Sequence, residues 1–255
     1  MIDYIRLLVI SVGQKCNLRC RACGSMTPFA PNEFKRYEPL QIVYDAKLVF
    51  ERIKKIGTIQ LQGGEPFLYP ELGKLITMLM PYVPEYERIV IATNGSIVPS
   101  DELLQIIKKN GIIVRISDYP IIREQQEKLE KILDKKDVKH YYSKFTSGQS
   151  LWYYKGSFEM NRQNDDHACR RRFDQCKNKH CLTLERSVLS HCTRSSNAYV
   201  IQGFERSKDD YIVVDARDTF EEELTAYIQD GKFMEACRFC YGTDEEHLCA
   251  PAEQL

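Results

Sequence analysis

The sequence predicts an α/β protein: an open, partial parallel barrel of (β/α)6 type, followed by a small α+β cysteine-rich domain. Three observations predict it. Short β-rich runs alternate with helical patterns from residue 5 to about 145, that alternation stops near residue 155, and the ten cysteines fall into two separated groups. The expected units are therefore residues 1–155, the barrel, and residues 156–255, the cysteine-rich domain. The composition, 43% apolar and 28% charged, is that of a globular chain.

The elements follow in order. Residues 5–12 read as a buried first strand. Apolar residues at 40, 43, 46, 49, 53 and 56 keep a helical period, closed by Gly57. Residues 58–62 form a second strand, 71–80 a helix after Pro70, and 88–93 a third strand. Ser100 caps a helix that Gly111 stops, and residues 112–117 form the fourth strand. A helix over 124–133 leads to a fifth strand over 138–145, with 151–154 as the candidate sixth. Six strands are too few to close an eight-stranded barrel, and chemistry in such folds sits at the strands' C-terminal ends. Beyond the boundary, 157–180 reads as polar and irregular, 182–192 as a hairpin, and Thr219 to Glu222 as a capping box opening a helix to about 230.

Lys+Arg and Asp+Glu both total 36, so no net field favours nucleic acid or an anionic membrane. No stretch approaches the roughly 18 apolar residues that span a bilayer, and the apolar start is broken by Asp3 and Arg6. A cytoplasmic location is expected, and there grouped cysteines are metal ligands more often than disulfides.

Cys16, Cys20 and Cys23 form a CxxxCxxC loop directly after the first strand. Three thiolates this close can hold three corners of a cubane iron–sulfur cluster, and the next cysteine is Cys169. One iron is thereby left open for chemistry. A zinc knuckle is the competing reading, but zinc does not account for Gln62-Gly63-Gly64-Glu65-Pro66 one strand later.

In these residues the chain resembles the radical S-adenosylmethionine (SAM) superfamily, whose signature is CxxxCxxC after the first strand of a partial barrel. The resemblance implies a [4Fe–4S] cluster on Cys16, Cys20 and Cys23, and S-adenosylmethionine chelated to its open iron. It further implies that Gly63, Gly64, Glu65 and Pro66 match the family's methionine-binding GGEP loop. Thr93 and Asn94 stand in its TNG-like segment, and Ser117 stands where ribose or carboxylate contacts occur. The family usually has an aromatic residue before the third cysteine, where this chain has Ala22.

Cys176, Cys181, Cys192, Cys237 and Cys240 resemble the cysteines of SPASM and twitch extensions, which carry auxiliary [4Fe–4S] clusters. With only Cys249 after the CxxC pair, the single-cluster twitch form fits. Cys192, Cys237 and Cys240 are expected ligands of one auxiliary cluster. Cys176 and Cys181 compete for the fourth place, Cys181 being favoured because it abuts the hairpin, while a four-cysteine zinc site is the alternative. Twitch-bearing relatives include an aminocyclitol dehydrogenase. The implied function is hydrogen abstraction from a small polar substrate, a sugar or aminocyclitol, ending in dehydrogenation or epimerisation, with a flavodoxin- or ferredoxin-type reductant. Asp118 is the candidate catalytic proton acceptor, ahead of Tyr119 and residues 152–155. A peptide-modifying radical enzyme and a non-catalytic iron–sulfur or zinc protein are the alternatives.

Overall fold

The computed structural model describes residues 1–144, 151–156, 164–200 and 204–255. Strands β1 (Ile2–Ser11), β2 (Ile53–Gln62), β3 (Glu85–Thr93), β4 (Ile113–Ser117) and β5 (His140–Ser143) pair in parallel, each beside the next. Helices α1 (Pro39–Phe50), α2 (Leu72–Leu79), α3 (Asp101–Lys109) and α4 (Arg123–Lys135) connect them. The sixth parallel strand is β7 (Cys181–Glu185), on the free side of β1 with Leu7 opposite Cys181. Strands β8 (Val188–His191) and β9 (Tyr211–Val213) continue antiparallel from it, so one open eight-stranded sheet runs β5-β4-β3-β2-β1-β7-β8-β9. The fold is thus the expected partial barrel, with residues beyond 155 supplying three strands of its sheet.

The two-residue period of a strand decides what each face buries. Leu8 and Ile10, Ile59 and Leu61, Ile89 and Ile91, Val114 and Ile116, and Leu182 and Leu184 pack against the helices in the main apolar core. Their alternates, including Val9, Gln60, Ala92, Arg115 and Cys181, turn to the concave face. That face mixes polar and apolar side chains and lines a cavity.

Several expectations are corrected. Residues 151–154 are not the sixth barrel strand: β6 (Trp152–Tyr153) pairs antiparallel with β10 (Leu248–Cys249) in a separate ribbon. The first helix ends at Phe50, because Ile53 to Gln62 is already strand and the helical period merely persisted through it. Within the stretch read as irregular, Asp165 caps α5 (Asp166–Gln175) by accepting from the Ala168 N–H, and only Cys169 and Phe173 of that helix are buried. Two buried residues are too few for an apolar stripe to be read. Helix α7 (Phe220–Asp230) forms, but Thr219 is itself helical and its hydroxyl donates to Glu223 at 2.8 Å, so no capping box closes. The expected fifth strand ends inside the described residues at Ser143, Phe145 lying outside them. Among the described residues no helix is long and apolar enough to cross a membrane.

A buried carboxylate ties β7 to the start of the cysteine loop. Glu185 is 3% exposed and accepts from Ser11 Oγ at 3.1 Å, Gln14 Nε2 at 2.5 Å and Tyr37 Oη at 2.7 Å. Its other oxygen accepts from Ser196 Oγ at 3.0 Å, on α6 (Thr193–Asn197). Replacing it strands several buried donors at once. Glu185→Leu is expected to lower unfolding free energy by about 3 kcal/mol, read as a lower denaturant midpoint at unchanged slope.

Candidate active site

The C-terminal ends of the parallel strands enclose a cavity of about 400 Å³. Cys16, Cys20 and Cys23 line it, with Gly63, Gly64, Thr93, Asn94 and Ser117 on the opposing strand ends. The structure therefore brings together the three cysteines of the first loop and five of the seven expected cofactor contacts. Glu65, Pro66 and Asp118 are not in the lining.

Glu65 is turned away for a definite reason. It is 2% exposed, and its carboxylate accepts from the Phe67 N–H at 3.0 Å, Thr93 Oγ1 at 2.7 Å and the Asn94 N–H at 2.7 Å. Burial outweighs these donors and pushes its pKa up to about 7. Its geometry stitches the loop after β2 to the end of β3. Asp118 is 4% exposed and ion-paired with Arg123 of α4.

The two glycines have a physical requirement that differs from the one sequence suggested. A Cβ on Gly63 would lie 2.1 Å from the Gly13 carbonyl oxygen, and one on Gly64 would lie 2.2 Å from that of Lys15. Two backbone bonds lock this approach, Gly64 N–H to Gly13 O at 2.9 Å and Glu65 N–H to Lys15 O at 2.8 Å. The absent side chains thus admit the cysteine loop itself.

Donors surround the loop's sulfurs. Cys16 Sγ accepts from the Leu18 N–H at 3.4 Å and Asn94 Nδ2 at 3.8 Å, and Cys20 Sγ from Gln254 Nε2 at 3.6 Å. Cys23 Sγ and Thr27 Oγ1 are 3.4 Å apart. Burial pushes the Cys16 thiol up to about 11 and Cys20 to about 12, so each needs a bound cation to become a thiolate. N–H donors aimed at sulfur suit an anionic cluster. The donor set therefore fits the cubane that the motif implies.

Sequence reading missed three contributors. Gln126 of α4, fully buried, donates to the Asn94 carbonyl at 2.7 Å and the Ser117 carbonyl at 2.6 Å, clamping the ends of β3 and β4. Its signal was a polar residue standing in register with Leu129 and Leu133 on a buried stripe. Arg115 was hidden by alternation, appearing as one charge within an apolar strand. Gln254 pairs across to the loop at Cys20, a contact of 234-residue separation that no local pattern reveals. Tyr119 and Trp152, edge-to-face at 5.3 Å, supply aromatic lining.

A second, smaller cavity lies beside the first and is lined by Cys176, Cys192, Cys237 and Cys240. Cys181 instead lines the larger cavity. Cys192 Sγ accepts from the Ser195 N–H at 3.4 Å and Cys240 Sγ from the Gly242 N–H at 3.2 Å. Burial raises the Cys237 thiol well above the usual range, with the neighbouring sulfurs of Cys192, Cys240 and Cys176 adding to it. Lys155 and Asn178 line both cavities and form their common wall. Among the described residues no three His, Cys, Asp or Glu side chains are placed to hold a single metal ion. Ligands of a cubane stand around a cluster rather than within about 2.3 Å of one ion. Of the basic run, Arg172 is structural: it donates to Asn164 Oδ1 and the Cys240 carbonyl, both at 2.7 Å. His191 is buried and stacked on Tyr227, and it lines the smaller cavity.

Residues 10–117, from the end of β1 to the end of β4, match the family model of the radical SAM superfamily. Over those residues the chain is similar to that superfamily. The GTP 3',8-cyclase of Nautilia profundicola is 37% identical over 97 residues, covering 37% of this chain and 28% of that protein. That of Aliarcobacter butzleri is 32% identical over 143 residues, covering 52% and 41%. The chain thus spans under a third of the first relative's length. The crystal structure of BtrN in complex with AdoMet and 2-DOIA aligns over 100% of both chains, with a TM-score of 0.57 at 15% identity. That likeness is one of fold.

Proposed function

We propose that this chain is a radical SAM dehydrogenase or epimerase of a small, hydroxyl-bearing polar substrate, such as a sugar or aminocyclitol. Cys16, Cys20 and Cys23 would hold the catalytic [4Fe–4S] cluster, and Cys176, Cys192, Cys237 and Cys240 an auxiliary one. The observation that carries this reading is the common wall: the four-cysteine cavity abuts the larger cavity, and among the described residues Lys155 and Asn178 line both.

When bound, these groups supply reductive cleavage of the sulfonium, hydrogen abstraction and a one-electron sink. In the dehydrogenase form these groups together would take a substrate carbinol to a carbonyl, with Lys155 and Asn178 standing between the two cavities that would hold them. The chain's own part is placement. Gly63 and Gly64 admit the cysteine loop, Gln126 fixes two rim carbonyls, and Tyr119 and Trp152 exclude water from one side. Cyclase relatives that are matched over so little of their length support the radical chemistry and not their nucleotide substrate.

Anaerobically reconstituted protein should hold about eight irons per chain. Under reduction it should release 5′-deoxyadenosine, and deuterium on a carbinol carbon of the right polyol should appear in that product. Failure to cleave S-adenosylmethionine would return the chain to a non-catalytic metal protein.

A further inference from the structure

Arg115 occupies the floor of the larger cavity. It lies two residues before Ser117 on the same face of β4, hence about 6.6 Å deeper than the rim. Its Nε is buried and has no hydrogen-bond partner among the described residues. The groups acting most strongly on its charge are the hydroxyls of Tyr141 and Tyr119, the Cys181 thiol and the like-charged Arg88. No carboxylate is among them. The rest of the lining repeats the pattern: Lys144, Lys155 and Lys177 contribute positive charge, and among the described residues no Asp, Glu or His lines the cavity. Lys177 is engaged, 3.8 Å from Glu245 and 2.5 Å from Tyr153 Oη. Arg115, Lys144 and Lys155 make no ion pair among the described residues.

A half-buried guanidinium with its Nε shut off from solvent and no counter-charge is costly, and a fold keeps one where a ligand completes it. We propose that Arg115, with Lys144 and Lys155 nearer the mouth, is an anion subsite that seats a phosphoryl group of the substrate. The substrate is then a phosphorylated polyol or sugar rather than a free aminocyclitol, whose ammonium the same three cations would repel. Three unengaged positive charges match a dianion, and the planar fork of arginine suits phosphate oxygens. The proposal deepens the function above and rests on it for the cofactor's place at the rim, which leaves the floor to the substrate.

The test uses reconstituted holoenzyme with S-adenosylmethionine bound and inorganic phosphate as probe, followed by calorimetry and phosphorus NMR, with acetate as the carboxylate comparison. Wild type should bind phosphate at least ten-fold more tightly than acetate. Arg115→Gln should weaken phosphate at least ten-fold while iron content and radiolabelled S-adenosylmethionine binding stay unchanged. A Lys144→Ala variant supplies the same reading if Arg115→Gln does not fold. Phosphate affinity unchanged in these variants, equal affinity for acetate, or a parallel loss of S-adenosylmethionine binding would each overturn the subsite. Phosphate binding needs no turnover, so its failure is separable from failure to form deoxyadenosine.

Discussion

Replacing Gly64 with alanine is expected to halve the iron content, from about eight to about four per chain, and to cut deoxyadenosine formation on the order of 100-fold. The new Cβ would stand 2.2 Å from the Lys15 carbonyl oxygen, 2.4 Å from its carbon and 2.9 Å from Cys16 Cβ. None of these atoms is the free end of a flexible side chain. Gly64 N–H and Glu65 N–H hold residues 13 and 15 by backbone hydrogen bonds, so the clash cannot be relieved without moving the segment that begins CxxxCxxC. A shift of an ångström there spreads the three sulfurs relative to one another. The four cysteines of the smaller cavity are untouched, which is why half of the iron should remain. Gly111→Ala is the matching control. Gly111 has a φ of +63° with nothing within 4 Å of its absent Cβ, so alanine there costs about 1 kcal/mol of backbone strain and no iron. If Gly64→Ala kept its full iron and its deoxyadenosine yield, the packing account of the glycine pair would be wrong.

This contrast also marks what a sequence can reveal. The parallel strands, the cysteine loop and the rim segments were legible because each is local: a period of two or 3.6, a turn glycine, a short cysteine spacing. The partners of those segments were not. That Gly63 and Gly64 serve the backbone of residues 13–16 depends on β1 and β2 lying side by side, and Gly63 is 50 positions away from Gly13. Strand β7 looked like half of an ordinary hairpin, and nothing within Cys181–Glu185 says that its other edge pairs with β1. Arg115 and Gln126 were hidden in the opposite way. Each sits within a regular pattern, and only the faces chosen by the sheet and by α4 make one a cavity floor and the other a clamp. Side-chain direction, once the strands are placed, carries the information that spacing lacks.

The same principle separates the two cysteines that compete for the auxiliary site, and it gives the second large expected effect. Cys176→Ala should lose about four irons and retain S-adenosylmethionine cleavage, whereas Cys181→Ala should keep about eight. Proximity in sequence favoured Cys181, which opens the hairpin. As the first residue of β7, however, Cys181 alternates with Leu182 and shares the concave face with Thr183, so its thiol enters the larger cavity. There burial pushes it up to about 12, as it does Cys20, so the direction of the thiol and not its acidity separates the two candidates. Cys176 stands just past the end of α5 at φ −69° and ψ 124°, an extended turn that brings it to the smaller cavity with Cys192, Cys237 and Cys240. The backbone joins the two candidates to the site unequally as well. Cys181 reaches Cys192 through its main chain, its carbonyl accepting from the Cys192 N–H at 2.7 Å, and so supports the site with its backbone whatever its side chain is. Alanine preserves that bond, which makes the pair of variants a clean comparison. Iron lost from Cys181→Ala and kept in Cys176→Ala would mean that the hairpin, and not the face of the strand, selects the ligand.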